Sequence, residues 1–419
     1  MENQENTTKT GFAALGLSDD LLTILAKLNL NTPTPIQKEA IKPSLAGHDV
    51  VGVAQTGTGK TFAFGLPMIQ RLRELRGRGL IVLPTRELAA QVSASLLRIG
   101  ADLGLRTAVL IGGEPINRQI AALKKDPQII IGTPGRLIDC LGSRIFKPLN
   151  IKMIVLDEAD TMFDMGFAPQ IEKILAQMPT DRQTLMFSAT MPPEILKLAS
   201  KHMKTPMNIE VAPAGTTADQ VDQEIYVVNK DQKINELQKI LLEYANGPVL
   251  IFVRTKYGAK NLAAKLRSGG QSAAEIHSNL SLAQRSKSLA GFKSGQYRIL
   301  IGTDIAARGI DVKNIALVVN FDMPEAAEDY VHRIGRTGRA GKSGKAISLA
   351  TPDQFKEIKG IEKLIKKSIP TNQLAPLIVP KPQVARFGKR RGGGGYRQSI
   401  PKGFGGGKTN GRNKYNRYK

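Results

Sequence analysis

The stretch IKMIVLDEAD, residues 151–160, joins a buried-strand pattern to a group of acids. Its apolar run is partly β-branched, which is typical of a strand covered on both faces, as in a parallel sheet. The run stops at Asp157, Glu158 and Asp160, although the chain has 60 Lys and Arg against 36 Asp and Glu. Open α/β sheets bind ligands at the carboxyl ends of their strands. These carboxylates therefore predict a cation at a sheet edge.

Similar apolar segments recur along the chain. The first series is DVVGVA, GLIVLP, TAVLIG, QIIIGTP, MIVLDE and TLMFSAT, and the second is EIYVV, PVLIFV, AAEIH, RILIGTD, ALVVNFD and KAISLAT. Their alternation with helical stretches favours βαβ units and parallel sheets. We predict an α/β protein with one domain at residues 12–208 and a second at 224–370. A flexible N-terminus, residues 1–11, precedes them, and residues 209–223 form the linker.

The last segment, residues 371–419, differs in composition from the rest of the chain. It holds twelve Lys and Arg and no acid, which is half of the formal net charge of +24, and it is rich in glycine with scattered Tyr and Phe. Such a composition buries too little apolar surface to offset chain entropy, so we predict a disordered tail. The charge predicts a polyanionic partner, with nucleic acid the first candidate.

The single cysteine, Cys140, excludes an internal disulfide and a cysteine-rich zinc site, and it fits a reducing compartment. The N-terminal MENQENTTKT lacks the pattern of a secretory signal, and the sequence has no apolar run of about 18 residues. We expect a soluble, cytoplasmic protein without a membrane partner.

A phosphate-binding loop is predicted at AQTGTGKT, residues 54–61, between a strand pattern and a helical one. Its last three residues, GKT, match the end of the pattern G-x-x-x-x-G-K-[ST]. Ala54 stands where the first glycine of that pattern usually occurs. Small residues let backbone N–H groups approach phosphate oxygens, the lysine adds charge, and the threonine hydroxyl suits Mg²⁺. The loop's predicted nucleotide-binding residues are Gln55, Thr56, Gly57, Thr58, Gly59, Lys60 and Thr61.

This loop supplies a partner for the acids at the end of the strand. Taken alone, paired acids after a strand fit a solvated loop or a helix cap better. Mg²⁺, however, binds through one or two carboxylates plus phosphate oxygens. With the loop upstream, we assign Asp157, together with Thr61, to the metal. Glu158 can orient or deprotonate the attacking water.

The sequence LDEAD at 156–160, taken with the loop, resembles the signature of the DEAD-box RNA helicases of superfamily 2. The family's other motifs follow in order between residues 12 and 341. The resemblance implies two tandem RecA-like domains, ATP and Mg²⁺ as cofactors, and RNA as partner. The basic, glycine-rich tail is most similar to bacterial members that act in ribosome assembly and RNA turnover.

The Q motif of the family reads adenine, and PTPIQ at 33–37 resembles it. By this resemblance Gln37 hydrogen-bonds the adenine edge, and Phe12 stacks on the base. Asn29 and Leu30 depart from the family, which commonly has glycine and an aromatic residue there.

RNA contacts are implied by PTRELA, the glycine pair, TPGR, LIFVRT and ILIGTDIAARGID. Arg86 and Arg136 are suited to phosphates, and small residues allow close approach to the sugar-phosphate chain. Read alone, each of these motifs is a commonplace loop. The implied RNA-contacting residues are Pro84, Thr85, Arg86, Gly112, Gly113, Thr133, Gly135, Arg136, Arg254, Thr303, Asp304 and Arg308.

YVHRIGRTGRAG, residues 330–341, resembles the family's final motif. In it Arg336 and Arg339 stand where arginine fingers reach the γ-phosphate, and Asp311 resembles a ribose or interface contact. A looser match, IHSNLSLAQR at 276–285, retains Arg285 but lacks the usual His-Gly-Asp. The residues implied to couple the two sites are Asp160, Ser188, Thr190, His332 and Arg333.

The fingers and the carboxylates lie in different domains, so the resemblance implies a catalytic site completed by domain closure. ATP and RNA would then bind cooperatively. We expect local unwinding of short duplexes with little sequence preference, and a tail that tethers RNA. An ATP-gated RNA clamp or annealer is the alternative function, and an idle, solubilising extension is the alternative for the tail. The DEAD and HRIGRTGR spellings disfavour a DNA translocase.

Overall fold

A computed structural model of the protein describes residues 10–55, 57–211, 221–307, 312, 315–338 and 344–373. All of them belong to one compact unit, Met1–Leu377. The predicted disordered tail falls outside the described residues from position 374 onward. Most of the predicted linker and all but two residues of the predicted flexible N-terminus also fall outside them.

Fourteen strands and fifteen α-helices lie in this described part of the chain, with short 3₁₀ helices at Gly11–Leu15, Ala101–Leu103 and Pro352–Gln354. The strands are β1 Val50–Val53, β2 Arg78–Val82, β3 Thr107–Leu110, β4 Ile129–Gly132, β5 Ile151–Leu156, β6 Gln183–Ser188, β7 Met207–Glu210, β8 Val221–Val227, β9 Val249–Phe252, β10 Ala273–Ile276, β11 Ile299–Gly302, β12 Leu317–Asn320, β13 Gly344–Ala350 and β14 Thr371–Gln373. The helices are α1 Asp19–Lys27, α2 Pro35–Leu45, α3 Lys60–Leu75, α4 Arg86–Gly100, α5 Ile116–Lys124, α6 Pro134–Gly142, α7 Ala159–Asp164, α8 Ala168–Gln177, α9 Pro193–His202, α10 Lys233–Glu243, α11 Lys256–Ser268, α12 Leu282–Lys293, α13 Asp304–Ala307, α14 Ala327–Ile334 and α15 Phe355–Ile365.

The strands form two seven-stranded sheets, and every strand pair is parallel. The first sheet has the order β3-β4-β2-β5-β6-β1-β7, and the second has the order β10-β11-β9-β12-β13-β8-β14. Counting each sheet from its own first strand gives the same order twice. The predicted fold of two tandem RecA-like domains is therefore confirmed.

Successive residues of a central strand pack on opposite faces of the first sheet. Leu80 lies in one apolar layer with Ile130, and the next residue, Ile81, lies in the other layer with Ile129. The second sheet likewise separates two apolar layers. Burial on both faces explains why these strands read as continuous apolar runs.

Two edge strands were not predicted from the sequence. In β7 (MNIE) three of four residues are exposed, and β14 (TNQ) has no apolar residue. The edge strand β7 pairs with β1, and β14 pairs with β8. In the sequence, β7 overlaps the predicted linker, and β14 overlaps the first three positions of the predicted tail. The domain boundaries themselves stay predictions. Within the described residues no helix is long and apolar enough to cross a membrane.

Candidate functional site

The loop after β1 leads directly into α3, whose first residue is Lys60. Gly57 and Gly59 have φ of 88° and 94°, a left-handed conformation that glycine adopts without strain. Lys60 is buried, and its Nζ has no hydrogen-bond partner among the residues described here. A buried, unpartnered ammonium at a helix N-terminus suits an anionic phosphate. Thr58 Oγ1 donates to the Gln55 carbonyl, and Thr56 lies outside the described residues.

Gln37 joins the Q motif to this loop. Its Nε2 donates to the Gly59 carbonyl at 3.0 Å, and its Oε1 accepts from the Thr34 backbone N–H at 2.9 Å. The side chain is buried, and a Cβ at position 59 would overlap its amide nitrogen. Phe12 is also buried, within the core layer that includes Ile36. The adenine contacts of these two residues stay predictions.

The three carboxylates lie where β5 ends and α7 begins, and all three are buried. Burial raises the pKa of Asp157 to about 6; Lys60 opposes this rise, and Glu158 adds to it. Glu158 has φ of 51°, uncommon for a residue with a Cβ, and its N–H donates to Asp157 Oδ1 at 2.9 Å. Among described residues Glu158 Oε2 has no partner. The site thus holds a buried ammonium and a buried carboxylate oxygen that both lack a hydrogen-bond partner within the described part of the chain.

Asp160 is fixed by the SAT segment after β6. Its Oδ2 accepts from the Ala189 and Thr190 backbone N–H groups, each at 2.9 Å, and from Thr190 Oγ1 at 3.2 Å. Its own N–H donates to Ser188 Oγ at 3.1 Å. From the second domain, His332 Nε2 lies 3.7 Å from Asp160 Oδ2. Burial would raise the pKa of Asp160, but His332, Lys60 and the backbone donors bring it below its usual value.

Residues predicted to contact RNA in the first domain follow β2, β3 and β4, which are neighbours in the sheet. Thr85 caps α4 by accepting from the Leu88 N–H at 3.3 Å. The Arg86 guanidinium lies so close to the glycine pair that a Cβ at Gly113 would overlap it. Both Arg136 Nη atoms donate to the Glu114 carbonyl at 3.4 Å. The same edge holds Pro84 after β2, Gly112 after β3, Thr133 after β4 and Gly135 in the first turn of α6.

In the second domain, the corresponding residues follow β9 and β11, also neighbours. Asp304 accepts from Arg333, whose Nη2 lies 2.7 Å from its Oδ2, so Asp304 is engaged within its own domain. Arg333 also donates from Nη1 to Asn320 Oδ1 at 3.2 Å. Arg254 is exposed, and its N–H donates to Asp322 Oδ2 at 3.0 Å. Thr303 is half-buried at the end of β11.

The final motif is described as far as residue 338. Arg336 is buried, and its Nε donates to the His332 carbonyl at 3.3 Å. Arg308, Asp311 and Arg339 lie outside the described residues, so their predicted roles are not placed.

Two groups of residues were missed by the sequence interpretation. Asn320 is the last residue of β12 and accepts from Arg333, and Asp322, two residues later, accepts from the Arg254 N–H. A polar residue at the end of an apolar run, the signal used for Asp157, could have indicated both. Glu87 was read only as part of PTRELA. It accepts a 2.8 Å hydrogen bond from Arg285 of the second domain, and no short-range pattern indicates that partner.

Comparison with known proteins agrees with this geometry. The DEAD/DEAH box helicase family matches residues 34–198, and the helicase conserved C-terminal domain family matches 232–341. The DEAD-box ATP-dependent RNA helicase CshA of Bacillus cereus is 42% identical over 362 residues, which cover 86% of this chain and 69% of that protein. This chain belongs to the DEAD-box family of ATP-dependent RNA helicases. The Bacillus subtilis CshA is 41% identical over 360 residues, covering 85% of this DEAD-box protein and 73% of the relative.

Solved structures also resemble this DEAD-box protein. A DEAD box protein from Methanococcus jannaschii matches with a TM-score of 0.52 at 39% identity, over 87% of this chain and 99% of that one. S. cerevisiae Dbp5 bound to RNA and ADP BeF3 matches better, with a TM-score of 0.77 at 30% identity, over 87% and 96%. Mss116p bound to ssRNA and AMP-PNP gives 0.81 at 28% identity, over 90% and 82%. The two RNA-bound relatives thus match this structure more closely than the first one does, despite their lower identity.

Proposed function

We propose that this protein hydrolyses ATP with Mg²⁺ as its two domains close on RNA, and that closure separates short duplexes or remodels RNA–protein complexes. One observation carries the proposal: His332 of the second domain lies 3.7 Å from Asp160 of the acidic motif. Closure of this kind brings the final motif to the nucleotide loop. The higher TM-scores of the RNA-bound relatives support the same arrangement.

The residues present fit a metal-bound nucleotide. The buried Lys60 ammonium has no partner among the described residues, and it suits the β and γ phosphates. Asp157 and the Thr61 hydroxyl provide the hard oxygen ligands that Mg²⁺ prefers. When bound, the metal neutralises charge on the phosphate oxygens. We therefore assign it to these two residues.

We assign Glu158 to the attacking water. Its carboxylate is buried, and its Oε2 has no partner in the described part of the chain, so that oxygen is available to orient a water or accept its proton. Asp160 takes a different role, because its carboxylate is already occupied by the SAT segment. We assign Asp160, Ser188, Thr190, His332 and Arg333 to coupling between the ATP and RNA sites.

Arg336 and Arg339 complete the proposed site as arginine fingers that stabilise charge on the transferred phosphoryl group. We expect adenine recognition by Gln37 and Phe12, and a ribose or interface contact by Asp311. Contacts from both domains to the sugar-phosphate backbone of RNA would give little sequence preference. Contacts to the 2′-hydroxyl would favour RNA over DNA.

A gel assay with a short RNA duplex tests the proposal. Wild-type protein should separate the strands with ATP and Mg²⁺, and both Lys60→Ala and Glu158→Gln should abolish separation. The Glu158→Gln variant should still bind ATP and RNA, because the residues assigned to the ATP phosphates are unchanged. Unwinding at the wild-type rate by Glu158→Gln would contradict the assigned role. ATP-dependent retention of RNA by the wild type, without strand separation, would instead indicate a clamp or annealer.

The same proposal extends to ribosomal precursors or the RNA-decay machinery as partners and to a cytoplasmic location. The basic, glycine-rich composition of residues 371–419 supports RNA binding of low specificity. Crosslinking the protein to RNA in cells and sequencing the bound RNA tests the assignment. The assignment would be contradicted if neither ribosomal precursors nor messenger fragments were enriched among the bound RNA.

A further inference from the structure

A basic cavity lies at the opposite edge of the first sheet from the ATP motifs. Its volume is about 370 Å³, and its lining includes His48, Asp49, Arg71, Lys152, Arg182 and Lys204, which we call the basic edge pocket. These residues lie at or before the amino ends of β1, β5, β6 and β7 or on α3. Because the strands are parallel, Lys60 and Asp157 lie at the other edge, about 20 Å away for a six-residue strand.

The two arginines of the pocket are held in place by backbone carbonyls. Arg71 Nη1 donates to the Leu45 carbonyl at 2.6 Å, and Arg182 Nη1 donates to the Pro179 carbonyl at 2.7 Å. Within the described residues, the Nε atoms of both have no hydrogen-bond partner. A carbonyl fixes a guanidinium but leaves its full positive charge. Burial lowers the pKa of Arg182, and Asp49 opposes that effect.

The acids of the pocket are already occupied. Asp49 Oδ1 accepts from the Thr184 N–H at 2.7 Å, and its Oδ2 accepts from the Lys204 N–H at 2.6 Å. Asp181 pairs with Lys152 at 3.2 Å. The side chains of Lys204 and His48 are exposed. The lining holds four Lys and Arg side chains against these two acids, so the pocket keeps an excess of positive charge.

We propose that the basic edge pocket binds a phosphate group, either from an RNA chain or from a small phosphorylated molecule. Planar guanidinium groups match the oxygens of phosphate, and a compact ammonium adds charge. The cavity is within the range of about 300–1,000 Å³ of small-ligand sites, which is large enough for a phosphate with its sugar. The RNA source rests on the proposed function, whereas the small-molecule source is independent of it.

The first experiment titrates inorganic phosphate into full-length protein carrying Lys60→Ala, which weakens binding at the ATP loop. We expect the backbone amide signals of Gly47 and Lys204 to shift in ¹H–¹⁵N spectra. The shifts should be lost in Arg182→Gln and reduced in Lys204→Glu, whose backbone N–H still caps Asp49. Lys363→Glu, an exposed change of equal charge in the second domain, should leave them unaltered. If Arg182→Gln fails to fold, Lys204→Glu still decides the outcome.

The second experiment distinguishes the two sources. The only cysteine, Cys140, is buried, so Leu75→Cys at the pocket and Leu242→Cys on the second domain can each carry a benzophenone crosslinker. If RNA supplies the phosphate, a long single strand should crosslink at position 75 more than at 242. Lys204→Glu should then lower the slope of log affinity against log salt by about 0.7, the value for one neutralised phosphate.

Each combination of outcomes decides the proposal. Phosphate-induced shifts with crosslinks at position 75 support an RNA phosphate, and shifts without crosslinks support a small phosphorylated molecule. The proposal is overturned if phosphate shifts neither amide, or if the shifts keep their full size in Lys204→Glu and in Arg182→Gln where that variant folds. If the wild-type protein did not unwind the duplex, that result would contradict only the proposed function, because the phosphate titration needs no ATP.

Discussion

Arg285 Nη2 donates a 2.8 Å hydrogen bond to Glu87 Oε2, which joins the two domains across 198 sequence positions. Only 11% of the arginine side chain and 5% of the glutamate side chain are exposed. Glu87 Oε1 and Arg285 Nε have no partner among the described residues. Burial lowers the pKa of Arg285, and Glu87 counteracts this. A buried and only half-satisfied ion pair thus connects the domains.

Replacing Arg285 with Ala should weaken RNA binding in the presence of a non-hydrolysable ATP analogue. Glu87 would be left buried and unpaired in the closed form, and breaking such a pair costs about 3–5 kcal/mol. Because part of that free energy is recovered when the domains open, we expect a loss of affinity of about 10- to 100-fold. Fluorescence anisotropy with labelled RNA measures it.

The matched control is Arg267→Ala, which breaks a 3.1 Å pair with Glu275 inside the second domain and should leave RNA affinity unaltered. The double variant Glu87→Ala with Arg285→Ala should be less impaired than the sum of its single variants. Strict additivity of the two single losses would show that the pair does not couple the domains.

The pKa of Asp157, raised to about 6, predicts how the metal dependence changes with pH. A protonated carboxyl is a poor ligand, so the Mg²⁺ concentration for half-maximal ATPase activity should rise about tenfold per pH unit below 6. Above pH 6 it should stay constant. Initial rates at several Mg²⁺ concentrations between pH 5 and 8 test this, and a profile without a change near pH 6 would contradict it.

The same pKa makes a prediction for stability without ligands. Because the folded pKa is raised, the stabilising contribution of Asp157 is present below its ordinary pKa of 3.8 and is lost as the pH rises through about 6. Asp157→Asn should therefore raise the melting temperature at pH 8. Asp160→Asn is the control with the opposite sign, because the pKa of Asp160 is lowered and its carboxylate accepts backbone hydrogen bonds. Equal effects of the two variants would refute this account.

Replacing Gly59 with Ala should weaken ATP binding by about 10- to 100-fold. The residue has φ of 94°, and its new Cβ would overlap Gln37 Nε2, so strain of about 1–3 kcal/mol falls on the phosphate loop. Titration with a fluorescent ATP analogue measures the affinity. Gly142→Ala, whose Cβ would meet no atom within 4 Å, should have no effect on it. Normal affinity in the Gly59 variant would show that the loop tolerates the displacement.

Truncation after Gln373 should weaken RNA binding and leave ATP turnover at saturating RNA unchanged. This end point keeps β14, which pairs with β8, while it removes all twelve basic residues of the tail. The slope of log affinity against log salt should fall by about 0.7 for each RNA phosphate that the tail no longer neutralises. A chain carrying an uncharged Gly-Ser tail of equal length controls for bulk. Unchanged affinity and slope in the truncated protein would leave the tail as a solubilising extension.

The sequence alone determined the fold class and the chemistry of the nucleotide motifs. Strands buried on both faces are continuous apolar runs, so twelve of the described strands were predicted, whereas β7 and β14 lie at sheet edges and carry no such signal. The loop before α3 and the acids after β5 were recognised because their chemistry needs specific residues at short spacing. The remaining motifs, which are commonplace loops when read alone, were assigned roles only through the family resemblance.

Only the tertiary structure decided which of these residues meet. It brought Gln37 onto the Gly59 carbonyl, His332 towards Asp160 and Arg285 onto Glu87, and it gathered cations at the amino ends of the first sheet. Short-range periodicity reports which face of an element is buried. It does not report a partner up to 198 positions away, because that pairing depends on strand order and domain placement.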